Sequence, residues 1–105
     1  MYFAVWATDR PGMLATRLQV REAHRARLRD PGEHPVRVVL GGPTLGGKTG
    51  ADAPAGDMNG TLLVVEADSI EAVQRYLADD PYTLAGVYAA VEVRPWHWGL
   101  GRPGP

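Results

Sequence analysis

The alternation of apolar and polar positions divides the chain into six regular segments separated by turn chemistry. Tyr2 to Thr8 is apolar and rich in aromatic and β-branched residues, which predicts a strand, and Asp9-Arg10-Pro11-Gly12 ends it with turn residues. From Met13 to Arg29 the pattern is helical, and Asp30-Pro31-Gly32 stops it. Val36 to Leu40 is a short second strand. Gly41 to Gly60 is rich in Gly, Pro and Asp and reads as a long loop. Thr61 to Ala67 is the third strand. Asp68 or Ser69 then caps a second helix running to Ala78, with Glu71 placing a carboxylate near its positive end. Asp79-Asp80-Pro81-Tyr82 closes that helix, and Val87 to Arg94 is a fourth strand. Gly99 to Pro105, rich in Gly and Pro, reads as a loose tail behind a domain spanning 1–98.

Strand–helix–strand, given twice, predicts an α+β domain of the ferredoxin-like βαββαβ kind, with two helices on one face of an antiparallel sheet. Leu62-Leu63-Val64-Val65 and Phe3-Ala4-Val5-Trp6 are apolar at consecutive positions, so both faces of those strands ask for burial. Two helices cover one face only. A second copy of the chain, packed sheet to sheet in a homodimer, is the expected cover for the other; a lid formed by the tail or the long loop is the alternative.

Composition narrows the chemistry. With 105 residues there is room for one domain and a modest core. The absence of cysteine removes disulfides, thiolate catalysis, iron–sulfur clusters and cysteine-based zinc sites, and it suits a reducing compartment. No stretch approaches the ~20 apolar residues of a membrane span. The N-terminus, Met1-Tyr2-Phe3-Ala4-Val5-Trp6, lacks the basic lead of a secretory signal, so a cytoplasmic protein is expected. A net charge of −1 supplies no field to attract nucleic acid or an anionic membrane, and neither is expected as a partner. Seven arginines nevertheless fall between Arg10 and Arg37, most of them in the first helix. That local positive surface suits a small anion better than a polynucleotide.

Gly42-Pro43-Thr44-Leu45-Gly46-Gly47-Lys48-Thr49 matches the phosphate-loop pattern G-x-x-x-x-G-K-[ST]. Phosphate binding there needs a helix opening at the Lys-Thr pair, and Gly50-Ala51-Asp52-Ala53-Pro54-Ala55-Gly56 will not propagate one. The match is therefore read as coincidental. The first helix is more informative. At ~100° per residue, Leu14 and Leu28 share a face with Arg17, Arg21 and His24, and Leu18 lies at its edge. Polar interruption of a core-facing stripe either marks a site or reflects arginines extending their heads to solvent around a half-buried histidine. Asp80, before Pro81, is ordinary turn chemistry by itself. In a split βαβ arrangement the two helices lie side by side, which can carry Asp80 to the first helix without spacing requiring it. His34 and His97 are dispersed and fit no metal-ligand spacing, so no metal site is expected.

In order and spacing these pieces resemble the YCII-related (YciI-like) family over nearly the whole chain. The resemblance is carried by Asp9-Arg10-Pro11-Gly12, the Arg17, Arg21 and His24 ladder, Gly41-Gly42-Pro43, and Gly60-Thr61-Leu62-Leu63-Val64. Asp80-Pro81-Tyr82, Gly86-Val87-Tyr88 and Val91-Glu92-Val93-Arg94-Pro95-Trp96 complete it. It implies a ferredoxin-like domain dimerised through its sheet, as in the dimeric α/β barrels, and a pocket holding a His–Asp pair, here His24 and Asp80. Dehalogenation of chlorinated aromatic diols or triols is among the family's activities. The stretch from Thr44 to Asn59 is where this chain departs from the compact family pattern.

Joined to that resemblance, the residues suggest cofactor-free proton-transfer chemistry: isomerisation, elimination or dehalogenation, or hydrolysis. His24 would serve as general acid or base and Asp80 would orient it. Arg17 and Arg21 would hold an anionic or phenolic substrate, with Tyr82, Tyr88, Gly42 and Pro43 in the pocket wall. Three other readings use the same residues: a non-catalytic small-molecule binding module, a cofactor-free monooxygenase, and a structural adaptor in which His24 and Asp80 tie the helices together.

Overall fold

A computed structural model describes residues 1–46 and 57–102. Its elements are β1 (Tyr2–Asp9), α1 (Leu14–Arg29), β2 (Val36–Leu45), β3 (Met58–Ala67), α2 (Ile70–Ala78), the single-turn α3 (Pro81–Leu84) and β4 (Tyr88–Trp96). The strands form one antiparallel sheet in the order β2-β3-β1-β4. This is the ferredoxin-like α+β arrangement, with both long helices packed against the sheet.

The pleat decides which side chains form the core. Along β1, Phe3, Val5 and Ala7 are buried while Trp6 is exposed. Leu63, Val65 and Ala67 of β3 join the same layer, and Val73, Tyr76 and Leu77 of α2 cover it. Register sets Trp6 opposite Leu62, and Ala4 opposite Val64, which in turn pairs with Leu40. These residues share the face turned away from the core. Trp6 and Leu40 remain 52% and 44% exposed. The expectation that β1 and β3 carry apolar residues on both faces therefore holds, and the second face stays open in the single chain.

The first difference from the sequence expectation lies between β2 and β3. The segment from Gly41 to Leu45 continues β2 instead of opening a loop, and β3 begins at Met58, ahead of Thr61. Gly and Pro suggested a loop, but β2 is an edge strand, where a residue lacking an N–H is tolerated. A register shift between Val38 and Leu40 carries the pairing onward. Gly42 to Leu45 are thus in extended, paired backbone, which does not wrap a phosphate; Gly47, Lys48 and Thr49 lie outside the described residues. The second difference is α3. Asp80-Pro81 opens a helical turn as well as following α2: the Asp80 carboxylate accepts from the Tyr82 N–H at 2.8 Å, and proline occupies the first helical position.

Tyr76 ties α1 to α2. Its hydroxyl donates to the Arg27 carbonyl at 3.0 Å, and Arg27 lies over the Tyr76 ring while donating to the Tyr76 carbonyl. Burial pushes the Tyr76 hydroxyl from 10.0 up to about 12. The folded chain keeps this proton where the unfolded chain gives it up. The stabilisation is complete below pH 10 and is lost as pH rises through about 12. Urea denaturation across that window will show falling stability, with a shallower fall in Tyr76→Phe.

Candidate active site

The only buried residues of the sixteen in α1 are Arg17 and His24, two of the three polar members of its inner face; the third, Arg21, is half-buried. Leu18, placed at the edge of that face by its spacing, is 47% exposed. Buried polar groups require partners, and both have them.

His24 reaches Asp80. Its Nδ1 lies 2.9 and 3.0 Å from the two carboxylate oxygens, and Asp80 is wholly buried. Asp80 is held in turn by the Tyr82 N–H, so the cap that starts α3 also aims the carboxylate at α1. The imidazole stacks on the Tyr82 ring at 4.0 Å with a 23° interplanar angle. Among the described residues its Nε2 has no hydrogen-bond partner. A carboxylate can only accept, so with Asp80 ionised the Nδ1 carries a hydrogen, and in the neutral ring the lone pair is then on Nε2.

Arg17 is spent differently. Its Nε donates to Asp9 at 2.8 Å, and its Nη2 donates to the Gly60 carbonyl at 2.7 Å and to the Thr61 hydroxyl at 2.6 Å. Its guanidinium lies 4.3 Å from the Tyr82 ring centre. Burial opposes the charge, but the hydrogen bond and charge of Asp9 outweigh it and raise the pKa of Arg17. Gly60 is required at this junction. A Cβ there would collide with the Ala7 carbonyl and the Thr44 hydroxyl, displacing the backbone that receives Arg17. Tyr88 donates to the same Thr61 hydroxyl at 2.9 Å, behind the pocket. Burial raises the pKa of Tyr82, against the nearby charges of Arg17 and Arg21, and raises that of Tyr88 as well, so both phenols are held neutral.

In front of His24 lies a cavity of about 230 Å³ lined by Arg17, Arg21, His24, Arg25, Leu28, Gly41, Gly42, Pro43, Met58, Thr61 and Tyr82. Seven of the eight residues expected at the site converge around this cavity. They are Arg17, Arg21, His24, Gly42, Pro43 and Tyr82 on its wall, and Asp80 directly behind His24. Tyr88 stands one layer back. Asp9, Arg25, Leu28, Met58 and Thr61 were not anticipated. Asp9 shows in the sequence as turn chemistry and as part of the family motif, and nothing in sequence spacing joins it to Arg17. A second hollow of about 260 Å³, between α2 and β4, is lined by Gln74, Leu77, Ala78, Thr83, Val91 and Val93. It holds no ionisable side chain among its lining residues, in contrast to the cavity in front of His24.

No helix among the described residues is long and apolar enough to cross a membrane.

Relatives align along nearly the full chain. The protein YciI of Escherichia coli O6:H1 is 36% identical over 99 residues, covering 91% of this chain and 96% of that protein. An uncharacterised protein of Haemophilus influenzae is 35% identical over 96 residues, with the same coverage. Among solved structures, 5-chloro-2-hydroxyhydroquinone dehydrochlorinase (TftG) from Burkholderia phenoliruptrix AC1100, in complex with 2,5-dihydroxybenzoquinone, superposes with a TM-score of 0.80 at 39% identity. It covers 94% of this chain and 96% of its own. The YCII-related domain model matches residues 1–97, and the chain belongs to that family.

Proposed function

We propose that this protein is a cofactor-independent enzyme that uses His24 as a general base on a small anionic or phenolic substrate. The observation that carries this reading is the His24–Asp80 pair, buried and aimed, with Nε2 left unpartnered beside a cationic cavity. Asp80 orients the ring and stabilises the imidazolium formed when Nε2 takes a proton. Arg17, braced by Asp9, holds the Tyr82 face against which His24 stacks, and Arg21 meets the substrate anion. The size of the cavity supports a single-ring ligand, since about 150 Å³ suffices for benzene.

Elimination is the reaction class favoured by the similarity to the dehydrochlorinase. Loss of H⁺ and a halide anion from a halogenated hydroxyhydroquinone leaves the corresponding quinone with electrons balanced and no external oxidant. His24 takes the hydroxyl proton and the electron pair moves into the ring. The His24 imidazolium returns that proton to the ring carbon bearing halogen, and halide then leaves as a second hydroxyl proton passes to the regenerated imidazole. Incubation with 5-chloro-2-hydroxyhydroquinone, followed by a chloride electrode, tests this reading. Stoichiometric, enzyme-dependent chloride release is expected. Tight binding of 2,5-dihydroxybenzoquinone without turnover of any halogenated ring would instead favour a binding module.

The working unit in this proposal is a homodimer joined through the open sheet face, with Trp6, Leu62 and Leu40 at its centre. A charge placed there disrupts the contact while leaving the helix-side core alone. Trp6→Glu should sediment as a monomer at micromolar concentration where the unaltered chain sediments as a dimer. A monomeric unaltered chain would refute the dimer.

A further inference from the structure

The charges around the cavity do not balance against one anionic oxygen. Among the described residues no acidic side chain lines it, while three arginines do, spaced one helical turn apart at Arg17, Arg21 and Arg25. Asp9 answers Arg17, and Asp80 answers His24. Arg21 is half-buried and has no ion-pair partner among the described residues. Arg25 meets only Glu22, at 3.3 Å, in a pair whose carboxylate side chain is 83% exposed. Such a surface pair is weak and yields readily to a better acceptor. Two positive charges therefore face one wall of the pocket without a buried counter-charge.

We infer that Arg21 and Arg25 form a carboxylate anchor, so that the preferred ligand is a hydroxylated ring carrying a carboxylate in addition to the group presented to His24. This deepens the function proposed above and rests on it. Successive turns on one face of α1 place the Cα atoms of the two arginines about 6 Å apart along the axis, with His24 between them in sequence. A planar guanidinium fork takes the two oxygens of a carboxylate in parallel, and the neighbouring cation stabilises the same charge. The cavity exceeds the volume a bare ring needs by enough for such a substituent. Leu28, Met58 and Pro43 give the ring an apolar bed, leaving the carboxylate directed at the α1 wall. Arg17 differs from Arg21 and Arg25, because its charge is answered by Asp9 and its Nε and Nη2 are already committed to Asp9, Gly60 and Thr61.

Isothermal titration at neutral pH with 2,5-dihydroxybenzoate and with hydroquinone tests the anchor. Both present para hydroxyls, and only the first carries a charge. The benzoate should bind at least tenfold tighter. That ratio should fall towards one in Arg21→Gln and in Arg25→Gln, and should persist in Arg29→Gln, which alters an exposed arginine of the same helix away from the cavity. Equal affinities in the unaltered protein, or a ratio insensitive to Arg25→Gln, overturn the anchor and leave the His24 proposal standing. A ratio lost equally in Arg29→Gln also overturns it, by showing a diffuse field in place of a site. Failure of both rings to bind removes the proposed function and the anchor together.

Discussion

His24→Gln is expected to lower turnover of an eliminated or isomerised substrate by about 10²–10⁴-fold, the range contributed by a positioned general base. Glutamine keeps much of the side-chain volume and polarity, so the stack on Tyr82 is largely preserved while the titrating nitrogen is lost. Asp80→Asn should give a comparable fall for another reason. Its amide can donate to the imidazole, which favours the tautomer with hydrogen on Nε2 and removes the lone pair from the cavity. Stopped-flow or chloride-release kinetics, with ligand affinity measured in parallel, separate this from a binding defect. A catalytic role predicts a fall in kcat with affinity for 2,5-dihydroxybenzoquinone reduced far less. If both variants turn substrate over at the original rate, the proposed mechanism is wrong.

Arg17→Met carries the largest expected cost in stability. It strips the partner from Asp9, whose side chain is 6% exposed, and leaves the Thr61 hydroxyl and the Gly60 carbonyl without their donor. Removing one member of a buried pair costs about 3–5 kcal/mol. Against a total of about 5–15 kcal/mol for a native protein, that is a large fraction. Adding Asp9→Asn removes the stranded charge, so the double variant should recover part of the loss. Urea denaturation of the single and double variants measures the coupling directly. An Arg17→Met protein with unchanged stability but weakened ligand binding would mean that Arg17 serves the ligand and not the fold.

The sheet, both long helices and the polar stripe on α1 were legible in the sequence because each depends on local periodicity. Tyr2 to Thr8 shows as an apolar run rich in aromatic and β-branched residues, and Ser69 with Glu71 announces α2. The run from Gly41 to Leu45 was misread because composition reports conformational freedom, while an edge strand's pairing is decided by its neighbour, β3. The cap and proline that open α3 are a local signal, but they overlap the end of α2, where the same residues read as its stop. At the site, helical projection grouped Arg17, Arg21 and His24 correctly. Projection is silent about what a side chain meets across the fold. Asp9 is eight residues from Arg17, Thr61 is forty-four, and Asp80 is fifty-six from His24. Of these long-range partners, only Asp80 was reached beforehand, and it was reached through family resemblance.

The central claim is that His24 presents an unprotonated Nε2 to the cavity while Asp80 holds its Nδ1–H. Long-range ¹H–¹⁵N spectra of the histidine rings read this directly, with His24→Gln assigning the signal. The expected spectrum of the neutral ring is the Nδ1–H tautomer, with the Nε2 resonance moving on addition of 2,5-dihydroxybenzoquinone. An Nε2–H tautomer, or a His24 resonance that ignores the ligand, would contradict it.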